Sequence, residues 1–285
     1  MKFINCFVRQ QRPVALARLF TVLVLLPGFF ANNAVAAEKD TRPDLNGVWV
    51  PVLVSFDDPR WRIADLVCAR TGCSLGGFNY LQELLQDPEN KNRRTKELLV
   101  EMEAYQEKFN EKLLTSKARQ SQADFDPSQE ASLDCQPDGD GLRHQALAPL
   151  PTEIEQHDDR VIVRYEYWNA ERVIYLDANS HPFAGESSRL GHSVGHYEGS
   201  TLVVETTGLL PSMTGIPTSE PIMLSANATA VEQFKLSDDG EALDFIMEII
   251  DPDNFNLPYQ NYRRMLKAPD WELDTFVCES ITGEY

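Results

Sequence analysis

"LGHSVGHYEGSTLVVETTG", Leu190–Gly208, is the stretch on which the reading of the fold turns. It carries two histidines four apart, His192 and His196, followed by an acid, Glu198. On a helix such a pair would lie roughly 6 Å apart and could share a metal ion. On a strand it would share a face at about 13 Å, with about 3.3 Å of rise per residue. Gly191, Gly195 and the β-branched run after the turn oppose a helix. The segment reads as a strand, a tight "EGS" turn and a second strand, so the two histidines do not clamp one metal between them.

The chain on either side of this hairpin repeats the pattern. "RVIVRYEYW" (160–168) alternates, with Val161, Val163, Tyr165 and Tyr167 on one face. "ERVIYLD", "ATAVEQFKL", "EALDFIMEII", "YQNYRRMLK" and "LDTFVCE" continue it, with "WNA" and "SDDG" as turn-type links. "DLNGVWVPVLVSF" (44–56) supplies an earlier strand, which makes about nine in all. No Gly-rich phosphate loop or helix–strand alternation appears, so a doubly wound nucleotide fold is not expected. A meander this long must close on itself or stack in two layers, because open edges invite aggregation. The expected fold is mainly β: an antiparallel lipocalin/calycin-like barrel of about nine strands. Gly47-Val48-Trp49 resembles the G-x-W signature of lipocalins, in which an arginine from a late strand lies across the tryptophan. Arg263 or Arg264 is the expected partner here.

One segment departs from the pattern. "RRTKELLVEMEAYQEKFNEKLL" places Leu98, Leu99, Met102, Tyr105, Phe109 and Leu113 at helical spacing. A shorter helix is expected around Tyr80–Leu85. The insertion covers about 75–120 and should pack on the outside of the barrel. An acidic linker with Pro and Gly punctuation follows, about 121–141.

The N-terminus reads as a signal peptide, residues 1–37. Lys2, Arg9, Arg12 and Arg18 precede the apolar "LFTVLVLLPGFF", and "AVAA" offers a cleavage site. The apolar run is too short for a comfortable membrane span. Residues 38–285 are expected to form a single domain, periplasmic or secreted, with no membrane insertion after cleavage. The whole chain carries a net charge of −18, and loss of the four leader cations leaves 22 basic residues against 44 acidic ones. Such a surface repels phosphate backbones and anionic lipid, so nucleic acid is not an expected partner. Four cysteines remain after the leader: Cys68, Cys73, Cys135 and Cys278. In an oxidising compartment they suggest two disulfides, with three connectivities open. "CARTGC" could close locally, leaving Cys135 and Cys278 to tie the middle of the chain to its end.

"DLNGVW", "YEYWNAERVIYLDANSHP", "GHSVGHYEGSTLVVETTG" and "APDWELDTFVCES" together resemble a large, mostly uncharacterised family of secreted bacterial proteins. Its hairpin motif has the form GHSxGxWEGDTLVV. The resemblance covers about 44–279 apart from the helical insertion, and it favours a Cys135–Cys278 disulfide. The chain departs from the family pattern at Tyr197 (Trp), Ser200 (Asp), Ala178 (Gly) and Gln233 (Arg). The lost Arg and Asp remove two groups that could have anchored a polar site.

Candidate site residues cluster on two hairpins. Tyr165, Glu166, Tyr175, Asp177 and His181 belong to one; His192, His196 and Glu198 belong to the other. Imidazole beside a carboxylate suits proton transfer near neutral pH. His181 and His192 are the candidate acid and base, with Asp177 orienting one ring. Tyr165, Tyr175, Glu166, His196 and Glu198 are candidate ligand contacts. Against this stands a purely structural role: Asp177 and His181 fix the turn "DANSHP", and Glu198 accepts backbone N–H groups in "EGS". No metal ligand set and no cofactor is expected. The leading expectation is a barrel that binds a small apolar or amphipathic molecule in its lumen. The alternatives are a cofactor-independent isomerase, hydratase or lyase acting on a hydrophobic small molecule, and a structural or interaction protein with a filled barrel.

Overall fold

A computed structural model describes residues 42–51, 64–65, 68, 73–126, 135, 141–179, 181–216 and 219–279. The expected signal peptide, the continuation of the first strand over 52–56 and most of the acidic linker lie outside the described residues.

Nine strands close into a barrel. They are β1 (Gly47–Pro51), β2 (Thr152–Gln156), β3 (Arg160–Tyr165), β4 (Ala170–Tyr175), β5 (His192–Glu198), β6 (Thr201–Thr207), β9 (Thr229–Leu236), β10 (Ala242–Ile250) and β11 (Tyr259–Lys267). Their order around the wall is β1-β11-β10-β9-β6-β5-β4-β3-β2. Two further strands, β7 (Met213–Ile216) and β8 (Ser219–Met223), pair only with each other. The barrel, with its helical insertion, is of the lipocalin-like type the alternation predicts. Period-2 burial runs through the wall: Val161, Val163 and Tyr165 point inward from β3, Leu202, Val204 and Thr206 from β6, and Phe245, Met247 and Ile249 from β10. β5 and β6 are joined through Gly199–Ser200, with Gly199 at φ +58°, a conformation that favours glycine in a tight hairpin.

Three expectations need correction. The barrel is mixed, because β4 and β5 run parallel and share only the pairs Ile174↔Ser193 and Tyr175↔Val194. Residues 176–191, broken by Pro182 and Gly185, carry the chain back across the end of the wall before β5 begins, which a parallel pair requires. Second, β2 was not read from the sequence, and "LDTFVCE" is not a strand. That tail runs extended: Phe276 exchanges two hydrogen bonds of 2.9 Å with the Asn169 side chain, and Asp274 N–H donates to Glu166 at 3.0 Å. "WNA" forms a 3-10 turn with Trp168 at φ +62° and Asn169 at +47°. Its unusual backbone is held where Tyr167, Trp168 and Phe276 pack ring to ring at 5.0–5.6 Å.

Third, the cation over Trp49 is Lys267, 5.6 Å from the ring, and not Arg263 or Arg264. The register of β1 on β11 sets Trp49 opposite Lys267. Arg264 instead grips Asp244 on β10 at 2.7 and 2.9 Å, and Arg263 turns to the carbonyls of Leu147 and Ala148. Trp49 itself is fully buried and donates to Leu45 O at 2.8 Å.

The insertion forms α1 (Leu75–Gln86), α2 (Thr95–Leu113) and α3 (Ser116–Ala123), and a short α4 (Leu142–Leu147) follows the linker. Ser74 and Thr115 cap α1 and α3 through their hydroxyls. Phe78, Leu81, Leu84, Leu98 and Met102 make a second small core against the Cys68–Cys73 disulfide. It meets the outer wall where Phe78 stacks on Tyr262 of β11 at 4.0 Å. Tyr105, expected in the apolar stripe, is exposed, and Gln106 is buried instead, accepting from Ser74 N–H at 2.9 Å.

The second disulfide joins Cys135 to Cys278 across 143 residues, against five for Cys68–Cys73. Loop-closure entropy assigns the long bridge about 5 kcal/mol and the short one about 2. Replacing Cys135 and Cys278 together by serine should therefore lower stability more than replacing Cys68 and Cys73. Urea unfolding of the two double variants measures this, and equal or inverted losses would contradict it.

Candidate functional site

The β4–β5 joint is the thinnest part of the wall, and Tyr175, His181 and His192 gather on its outer side. Gly195 makes the joint possible, since a Cβ there would come within 2.8 Å of Ile174 Cγ2. His181 stacks on Tyr175 with ring centroids 3.9 Å apart. His192 lies 5.6 Å from the same tyrosine and 5.9 Å from Phe183, and its Nε2 bonds the carbonyl of His181 at 2.8 Å. Two crevices of about 380 and 440 Å³ flank this aromatic stack and share His192. The first is lined by β4, residues 188–193 and Arg172; the second by His181, Phe183, His196 and Glu205.

His181 and His192 thus converge as expected, through a stack and a main-chain contact. Asp177 accepts from Asn179 N–H at 2.9 Å, in its own turn. Glu166 binds the tail, and Tyr165 points into the barrel away from the crevices. His196 and Glu198 pair at 3.0 Å but are exposed at the far end of β5. Gln233 is exposed on the outer wall, so its side chain does not enter the interior.

The interior holds chemistry that the sequence reading missed. Arg172 of β4 and Glu232 of β9 are 3% and 0% exposed and form a bidentate pair at 2.7 and 3.1 Å. Since β5 and β6 separate these strands in the wall, the pair reaches over both. Ser193 of β5 and Thr206 of β6 share a hydrogen bond of 2.9 Å beneath it, and Thr206 Oγ1 lies 3.5 Å from Glu232. Burial penalises the Arg172 charge, but Glu232 and Tyr165 more than offset this, and the guanidinium is held above its ordinary value. Burial also drives the Tyr165 phenol upward, with Arg172 opposing and Glu232 reinforcing the shift. Among the described residues Tyr165 Oη and Arg172 Nε have no partner.

A second polar cluster lies where α4 meets the inward face of β11. Arg143 Nη2 donates to Asn261 Oδ1 at 2.9 Å, and its guanidinium lies 5.9 Å from the Tyr259 ring centroid. Arg263, two residues along β11, donates to the carbonyls of Leu147, the last residue of α4, and of Ala148 after it. Among the described residues Asn261 Nδ2 and Arg143 Nε have no partner, and Tyr259 Oη faces the Arg143 guanidinium alone. Burial raises the Tyr259 phenol, with Arg143 opposing. Burial, with the Arg143 charge adding to it, lowers Arg263 to about 9.

The signal for both clusters was present but unread. In "AERVIY" the arginine shares a face with Ala170 and Ile174, and in "TAVEQFKL" the glutamate shares one with Ala230 and Phe234. A charge in phase with core residues marks a buried ionic group. Among the described residues no group of three or more His, Cys, Asp or Glu could hold a metal ion. The fold and site together define a closed mixed β-barrel with an ion pair spanning its interior. No family model, no curated protein and no solved structure matches the chain.

Removing one member of a buried ion pair strands the other charge, whereas replacing both can be nearly neutral. Arg172→Met or Glu232→Leu alone should each cost about 3–5 kcal/mol. The double variant should cost much less than their sum. Urea unfolding of the three variants completes the cycle, and additive losses would show that the pair does not act as a unit.

Proposed function

We propose that the chain is an exported protein that binds a small amphipathic molecule inside its barrel. The observation that carries this reading is the set of buried polar atoms on inward-facing residues that lack a partner among the described residues. Tyr165 Oη and Arg172 Nε lie on one side, and Asn261 Nδ2 and Arg143 Nε on another, amid walls otherwise lined by Val, Leu, Ile and Phe. A few convergent polar groups in an apolar enclosure are the usual composition of a small-molecule site. Leaving such atoms unbonded costs about 1–3 kcal/mol each, so a polar ligand group or a water taken up with it stabilises them. The two disulfides are compatible with an extracytoplasmic protein, and among the described residues no helix is long and apolar enough to cross a membrane.

The enzyme alternative is favoured by one observation: His181 and His192 meet on Tyr175 at the wall of the same crevices. Against it, each imidazole is engaged by stacking, and His192 Nε2 is bound to the His181 carbonyl. Binding therefore leads.

The test is fluorescence titration of the mature chain with the neutral apolar probe N-phenyl-1-naphthylamine. Saturable enhancement at one probe per chain, retained in His181→Ala and His192→Ala, is expected. Absence of saturable binding would reject the binding reading in favour of a filled barrel.

A further inference from the structure

Two guanidinium groups sit together at the α4 end of the barrel without a counter-charge. Among the described residues neither Arg143 nor Arg263 meets a carboxylate; their partners are the Asn261 side chain and two backbone carbonyls. Asn261 and Arg263 are two apart on one face of β11, so about 7 Å separates their Cα atoms. Arg143 is held to the first and Arg263 is the second, and the two cations feel each other's charge. Both keep part of their surface accessible, whereas Tyr259 and Asn261 beside them are 0% and 2% exposed. The other interior arginine behaves differently. Arg172 is neutralised by Glu232 with two hydrogen bonds.

The contrast narrows what the second cluster needs. Water can satisfy an unbonded hydroxyl or amide, but it cannot neutralise two like charges in a low-dielectric enclosure. Only an anion does both. In a chain with 44 acidic residues, the lack of an acid here is a local property and not a shortage of carboxylates. Guanidinium groups present paired N–H donors that match the two oxygens of a carboxylate. Tyr259 Oη and Asn261 Nδ2 add two neutral donors at the same place. The strongly acidic exterior disfavours entry of a multiply charged head, which selects the monoanion.

We infer that Arg143 and Arg263, with Tyr259 and Asn261, form a subsite for the carboxylate head of an amphipathic organic acid whose apolar part lies in the barrel. The inference rests on the binding reading above for the apolar part, but the head group has its own test.

Displacement of N-phenyl-1-naphthylamine is compared for dodecanoate, dodecanol and dodecyl phosphate, and the thermal midpoint is followed with each. Dodecanoate should compete at least about tenfold better than dodecanol, the worth of one charge-assisted hydrogen bond. Arg143→Gln and Arg263→Gln should abolish that preference while leaving dodecanol unchanged, and Arg143→Lys should keep part of it. Relief of repulsion should leave the ligand-free Arg143→Gln chain at least as stable as the wild type, which also guards against a folding artefact at Arg263. Equal competition by acid and alcohol, or a preference that survives both Gln variants, would overturn the subsite while the barrel reading stood. A preference for dodecyl phosphate would overturn the carboxylate assignment. A wild type that ignores the naphthylamine yet gains an Arg143-dependent stabilisation from dodecanoate would keep the subsite and reject the barrel reading.

Discussion

Trp49 is where the ring closes. It pairs with Lys267 of β11 on one side and with Thr152 of β2 on the other, so both seams of the barrel meet at a single residue of a five-residue strand. The indole is fully buried, and its N–H is bound to Leu45 O. Closure gives each of the nine barrel strands a neighbour on both sides, so none of them is a free edge strand. It also encloses a low-dielectric interior, which makes each inward-facing charge or hydroxyl expensive unless it is matched.

The wall is uneven, and its unevenness places the surface site. β10 shares eight residue pairs with each of its neighbours, whereas the parallel β4–β5 joint has two. The long connection that makes this joint parallel also delivers His181, Phe183 and Leu190 to its outer side. Arg172 lies where one crevice approaches the interior from there. Outer histidines and inner ion pair are therefore two sides of one thin wall, even though no hydrogen bond links them.

Inside, two arginine clusters pose the same electrostatic problem and reach different solutions. Arg172 has Glu232, with Ser193 and Thr206 beneath. Among the described residues Arg143 and Arg263 have neutral partners alone, and burial with the Arg143 charge depresses Arg263. A protein whose exterior is strongly acidic has placed an uncompensated positive patch inside its barrel, which is the physical basis for expecting an anionic guest.

Much of the architecture was legible locally. Period-2 alternation in "RVIVRY" and "TLVVETT", the glycine at 199 and helical spacing in "KELLVEMEAYQEKF" dictate strands, a tight turn and helices, because side-chain alternation and backbone freedom are properties of neighbouring residues. Acidity and the count of cysteines could also be read that way. The rest required three dimensions. That β4 and β5 run parallel depends on the path of residues 176–191. That Lys267 and not an arginine covers Trp49 depends on a register set between strands more than two hundred residues apart. Arg172 and Glu232, 60 residues apart, are partners only because β5 and β6 bring their strands across one lumen. Long-range pairing is decided by closure of the whole ring, and no window of the chain contains that information.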